Sequence, residues 1–195
     1  PGRVQTMSSD AVLPTDELFV RWTEVSAFMP IMQFSYFPWN YGAPAADIAL
    51  AYARLHKELE DYLFDAAHNR ETPVIRPLWH DYPEKEELYT IADEFMLGPD
   101  ILVAPVLEEG AVQRDVVLPP GEWHDVWTGD TREEGVVEKH PAPCPGIPVF
   151  VRSSNRELFH YLHHHLKDFP RDAIASGTTS ATYSAGIDRD LGTTG

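Results

Sequence analysis

The sequence holds one cysteine, Cys144, only four lysines, and no apolar run near the roughly 20 residues that a membrane-spanning helix needs. A lone thiol excludes an intrachain disulfide framework and a multi-cysteine zinc site, and it fits a reducing compartment. The start, Pro1-Gly2-Arg3-Val4-Gln5, lacks a secretory pattern, so a soluble, cytoplasmic protein is expected. Neither GxGxxG nor GxxxxGK followed by Ser or Thr occurs, which removes the common phosphate-cradling loops and with them nucleotide chemistry.

Positive charge is also scarce. Fifteen Lys and Arg face 31 Asp and Glu, a formal net charge of -16 that repels phosphate backbones and anionic headgroups. Neither nucleic acid nor a membrane is expected as a partner. A carboxylate-rich, lysine-poor surface is what a high-salt cytoplasm would favour, because salt screens the self-repulsion over roughly 8 Å or less.

What the chain does have is core material: 43% of its 195 residues are hydrophobic and 11% aromatic, enough for one compact domain or two small ones. It opens on proline with its first methionine at Met7, from which a piece of a longer protein is expected.

Residues 1–14 show no period and read as an irregular lead-in. Thr15 can cap a helix, Asp16 and Glu17 suit its positive end, and Leu18, Trp22, Val25 and Met29 recur at spacings of three and four until Pro30. Gln33 to Gly42 packs aromatics between turn residues and reads as a shaped loop. A second helix is expected from about Pro44 to His68, with Ile48, Tyr52, Leu55, Leu59, Tyr62 and Ala66 as its apolar stripe. After a break at Asn69 and Arg70, Val74 to Trp79 reads as a strand interrupted by Pro77. From Phe95 onward come short β-type runs at 95–97, 101–104, 115–118, 123–127 and 148–151. They are separated by turn signals at Gly98-Pro99, Pro119-Pro120-Gly121 and Thr128-Gly129-Asp130, at the roughly 8 to 12 residue spacing of a β-sandwich. A last helix is expected over Arg156 to Lys167, and the tail from Ser176 is rich in Ser, Thr and Gly.

Three clusters invite chemistry and have plainer readings. Asp81, Glu84, Glu86 and Glu87 form an acidic run near a strand end, but crowded exposed carboxylates lack the raised pKa a useful acid needs. His160 and His164 stand one helical turn apart, yet no third ligand sits at a diagnostic offset and HExxH is absent, so no metal is expected. Cys144, between prolines, has nothing nearby to activate it.

Several segments, in order, resemble glycoside hydrolase family 31: Glu17-Leu18-Phe19-Val20-Arg21-Trp22, Ala27-Phe28-Met29-Pro30, residues 73–78, residues 93–106 and residues 115–123. The likeness covers about residues 15–152. It implies an α/β fold followed by an all-β one: the end of an eight-stranded α/β (TIM) barrel and then a C-terminal antiparallel β-sandwich. The expected division is a lead-in at 1–14, barrel end at 15–92, sandwich at 93–153, helix at 154–169 and an incomplete tail at 170–195.

The family resemblance also implies a reaction. Its members retain anomeric configuration using two aspartates, a nucleophile and an acid/base. Both lie in motifs upstream of this segment, so no catalytic residue is assigned and the chain alone is expected to be inactive. One family sugar-contact segment is present in altered form. Many α-glucosidases carry Met-Arg-Asn-His-Asn where this chain has Met32-Gln33-Phe34-Ser35-Tyr36, so Gln33 replaces the arginine and Ser35 the histidine. This form is closer to the α-galactoside-acting branch of the family. The resemblance marks Gln33, Ser35 and Trp39 as substrate-binding residues, the polar pair meeting hydroxyls and the indole stacking on a sugar face, with Phe34 in the core.

The expected function is therefore the C-terminal portion of a retaining α-glycosidase, needing no cofactor. Its expected partners are an α-linked oligosaccharide or glycoside and the rest of the parent chain. The alternative is a non-catalytic carbohydrate-binding or interaction module that has kept the sheet and the aromatic loop.

Overall fold

The computed structural model describes residues 14–68, 71–167 and 169. Most of the expected lead-in, the break at Asn69 and Arg70, and the tail from residue 170 lie outside the described residues.

Helix α1 spans Asp16–Ala27, and the Thr15 hydroxyl oxygen accepts from the Leu18 amide at 3.2 Å as its N-cap. The long second helix is two: α2 at Ala43–Glu58, with Pro44 in its first turn, and α3 at Glu60–His68. Leu59 between them departs from helical geometry, but the chain keeps its direction because the Leu63 amide still reaches the Leu59 carbonyl at 2.9 Å. The expected stripe survives the break, with Ile48, Tyr52, Leu55, Leu59 and Ala66 all buried.

Helix α1 departs from its apolar period. Leu18 and Trp22 are 48% and 41% exposed, while Arg21, Thr23 and Glu24 are buried beside Phe19 and Val20. Burial is decided here by partners rather than by hydrophobicity, as the side-chain contacts below show.

Strands β1 (Ile75–Arg76), β2 (Phe95–Leu97), β3 (Ile101–Val103), β4 (Gln113–Asp125), β5 (Thr131–Pro141) and β6 (Val149–Arg152) form one sheet in the order β1-β2-β3-β6-β4-β5. Every neighbouring pair is antiparallel. Alternation divides the sheet's apolar residues between two faces. Leu97, Ile101, Val103, Val149 and Val151 join the cluster shared with α1, α2 and α5 (Arg156–Leu166). Met96, Leu102 and Phe150 face the opposite way, into a second cluster with Trp123, Leu118, Leu78 and Leu88.

Three expectations are corrected. The strand expected over Val74 to Trp79 shrinks to Ile75–Arg76, because Pro77 carries no amide hydrogen and the chain turns at once into the short helix α4, Leu78–Asp81. The turn expected at Pro119-Pro120-Gly121 is a bulge inside one long strand: the β4–β5 register shifts between Leu118 and Glu122. Gly121 sits there at φ +124°, and the Trp123 indole N–H closes the bulge on the Pro119 carbonyl at 2.8 Å. Strand β5 had no counterpart in the sequence pattern, since it is exposed along almost its whole length and carries no buried period.

Among the described residues, no helix is long and apolar enough to cross a membrane.

Candidate functional site

The segment leaving α1 holds the residues marked for sugar contact. From Ile31 to Phe37 the chain alternates without pairing: Met32, Phe34 and Tyr36 are half-buried against the main core, while Ile31, Gln33, Ser35 and Phe37 are exposed. This two-residue period puts Gln33 and Ser35 on the same side. Phe34 does pack into the core, with its ring 6.2 Å from that of Phe19, and Phe19 stacks on Tyr41 at 3.9 Å. Tyr41 therefore closes the loop back onto α1. Burial, with Tyr36 and Asp16 nearby, pushes its phenol well above the ordinary value.

Gln33 and Ser35 together line a cavity of about 60 Å³, whose opposite wall is the α1 face of Phe19, Trp22, Thr23 and Ser26. That volume holds a few waters and not a pyranose ring. Trp39 does not line it. It lies on the 3-10 turn Pro38–Asn40, its indole parallel to the Phe37 ring within 5° at 4.5 Å, and it is 73% exposed. The structure thus brings two of the three marked residues together and sets the third on a separate aromatic stack. Phe37, half of that stack, was not singled out from the sequence, although its i+2 spacing from both Ser35 and Trp39 was visible there.

The opposite side of α1 is bolted to the C-terminal sheet. Arg21 donates to the carbonyls of Ala111 and Ala142 at 2.9 Å each and to Glu24 at 3.2 Å. The other Glu24 oxygen accepts from the amides of Gly146 and Ile147 and from the Tyr52 hydroxyl. Complete burial pushes the Glu24 carboxyl above its ordinary value even with Arg21 beside it. Cys144 lies in the same loop, and burial pushes its thiol up to about 12, so it stays protonated and unreactive.

A second and larger hollow, about 610 Å³, runs between α1 and the sheet end. Leu18, Trp22, Val25 and Met29 form one wall, with Ile75, Phe95 and Leu107 among the residues facing them. Glu94 also borders it. Burial raises this carboxyl to about 7 against the opposing pull of the Val117 amide and Arg114, which it meets at 2.9 and 3.2 Å.

Of the remaining clusters, Asp81, His163 and His165 are engaged in structure, while Glu84, Glu86, Glu87, His160 and His164 are exposed. Asp81 grips Arg76 at 2.6 Å, and although burial pulls its carboxyl upward, the bonds from Arg76 and His80 hold it below the usual range. On α5, His163 contacts the Val126 carbonyl at 2.7 Å and His165 meets Glu58 at 3.4 Å. Among the described residues, no three His, Cys, Asp or Glu side chains converge as a metal site.

Residues 71–155 match the glycosyl hydrolase family 31 C-terminal domain. The mouse (Mus musculus) myogenesis-regulating glycosidase is 46% identical over 114 residues, which is 56% of this chain and 16% of that protein. A 1,3-alpha-isomaltosidase from Kribbella flavida is 35% identical over 162 residues, 73% of this chain and 22% of its own. The solved cycloalternan-degrading enzyme from Trueperella pyogenes, in complex with a covalent intermediate, superposes with a TM-score of 0.68 at 29% identity. It covers 73% of this chain and 22% of its own. The chain spans between 16 and 22% of the length of these relatives.

Proposed function

This chain belongs to glycoside hydrolase family 31, and from that premise we propose that it is the C-terminal portion of a retaining α-glycosidase. In this reading residues 15–92 complete a barrel whose upstream part carries the nucleophile and the acid/base. Residues 93–153 form the β-sandwich that braces it. Gln33 and Ser35 hydrogen-bond sugar hydroxyls and Trp39 stacks on a sugar face. The substrate is an α-linked oligosaccharide or glycoside, cleaved in the cytoplasm without a cofactor.

The observation that carries the reading is the inverted burial of α1. A helix that turns its ionic residues inward and leaves Leu18, Trp22, Val25 and Met29 along a 610 Å³ hollow has a second partner to meet. The chain's share of its relatives' length makes the rest of the parent barrel that partner. A covalent intermediate has been trapped on the Trueperella enzyme, which fits the two-step retaining scheme.

The test is to read the frame upstream of Pro1, express the whole polypeptide and assay it on α-galactosides and α-glucosides. Two upstream aspartate motifs and turnover with retained configuration are expected. A parent with neither motif would end the enzyme reading. The exposed Phe37–Trp39 stack would then favour the non-catalytic carbohydrate-binding module, since stacking on a sugar needs no aspartate.

A further inference from the structure

Resting on the glycosidase reading above, we propose that the parent-barrel segment covering α1 brings an arginine or lysine into the 610 Å³ hollow. Its apolar stem lies along Leu18, Trp22 and Phe95, and its charged end meets Glu94.

The first ground is an unsatisfied oxygen. Glu94 is 5% exposed, and its Oε1 accepts from the Val117 amide and from Arg114. Its Oε2 is buried at the border of the hollow and has no hydrogen-bond partner among the described residues. A carboxylate oxygen accepts up to two bonds, and leaving it empty inside protein is costly. Water serves while the hollow is open. Once an apolar partner expels that water, the partner itself must supply the donor.

Charge makes that donor a cation. Arg114 is shared between Glu94 at 3.2 Å and Asp93 at 3.0 Å, so one guanidinium faces two carboxylates. Arg76 and Arg21, which also border the hollow, are committed elsewhere. The first holds Asp81 and the Gly98 carbonyl, and the second holds Glu24 and the carbonyls of Ala111 and Ala142. An adjoining hollow of about 200 Å³, which shares Leu18, Arg21, Val106 and Leu107 with the larger one, adds Glu17, Glu108 and Glu109 to its lining. Glu17 likewise leaves its Oε2 buried and without a hydrogen-bond partner among the described residues. This side of the interface thus carries an excess of negative charge, which a basic side chain from the other side complements.

The apolar wall suits such a side chain. The methylene stem of arginine or lysine packs on Leu18, Val25 and Phe95, and Trp22, 41% exposed, offers its indole face to the cation.

The test compares the intact parent polypeptide, wild type and Glu94→Gln, by thermal unfolding from about pH 4.5 to 7.5, with a crystal structure of the wild type. An Arg or Lys nitrogen within about 3.2 Å of Glu94 Oε2 is expected. Such a partner holds Glu94 ionised in the folded state, so its contribution is present above the unfolded value of 4.5 and is lost on acidification. The melting-temperature advantage of wild type over Glu94→Gln should therefore widen as pH rises, by about 2 °C or more, and replacing the incoming Arg or Lys by methionine should abolish the widening. Without the cation, burial keeps the proton on Glu94 and the advantage narrows as pH rises. An advantage that narrows or stays flat, a widening that survives the methionine replacement, or a covered hollow with no basic side chain at Glu94 overturns the inference. Turnover by the same wild-type protein would then leave the glycosidase reading standing. A frame upstream of Pro1 that encodes no barrel removes both.

Discussion

Arg21 and Glu24 stand one turn apart on α1, joined at 3.2 Å and both shielded from water, and most of their remaining bonds go to the far half of the chain. Arg21 gathers carbonyls from residues 111, 142 and 143, and Glu24 takes the amides of 146 and 147. The pair is thus a joint between the helical half and the C-terminal sheet, and it holds the wall of the cavity that Gln33 and Ser35 share.

Breaking that joint should be costly. Glu24→Ala leaves Arg21 with only Glu17, at 4.0 Å, as a carboxylate partner and strands two amides in a dry loop, and a loss of about 3 kcal/mol is expected in urea unfolding. Glu24→Gln keeps an acceptor for the amides and should cost less than the alanine. A loss under about 1 kcal/mol for Glu24→Ala would mean that water replaces the carboxylate and the joint is loose.

Glu94 predicts a pH dependence of definite sign. Its folded pKa, about 7, lies above the unfolded value of 4.5, so the folded state holds the proton more tightly. Its contribution is fully present below pH 4.5 and is lost as pH rises through 7, amounting to at most about 3 kcal/mol. Glu24 shifts in the same direction and adds to the slope. Asp125 runs the other way. Burial raises its carboxyl, but the 2.7 Å bond to His140, the His140 charge and the Trp127 and Thr128 amides bring it net below its ordinary value, so its contribution disappears as acid is added. Unfolding free energies from pH 5 to 8 should show a shallower decline in Glu94→Gln than in wild type; parallel curves would place the titration elsewhere.

Much of this organisation could be read from the residues. Thr15, Asp16 and Glu17 announced α1, and the 48–66 stripe announced one long helix over the stretch that α2 and α3 divide at Leu59, because capping and a 3.6-residue period are local signals. The outward turn of Leu18 and Trp22 could not be read. It depends on carbonyls and amides more than 80 residues away that make burying Arg21 and Glu24 worthwhile. Strand β5 escaped for a related reason: an exposed edge strand is specified by its partner β4, not by its own hydrophobicity. At the site, family position drew attention to Gln33, Ser35 and Trp39 alike, and only the geometry separated the polar pair from the aromatic stack.

The charge excess carries a prediction about solvent. If the surface is adapted to high salt, the melting temperature should rise as salt is taken from 0.1 M towards 1 M and beyond, well past the point where ordinary surface pairs are screened. A flat or falling curve would show that carboxylate excess here has another origin.

The exposed stripe of α1 predicts opposite outcomes in two contexts. Trp22 borders the 610 Å³ hollow and is 41% exposed, so Trp22→Glu adds charge to a wall that faces water when the chain stands alone. In the isolated chain this change should raise the concentration at which aggregation begins, because it breaks up an apolar patch. In the whole polypeptide the proposed barrel covers that wall, and the same carboxylate would be buried without a partner, at a cost of several kcal/mol and with loss of soluble protein. Light scattering on the first and soluble yield with thermal unfolding on the second read the two effects. If the substitution harms both alike, Trp22 packs within the chain itself; if it harms neither, nothing covers α1, and the barrel is not its partner.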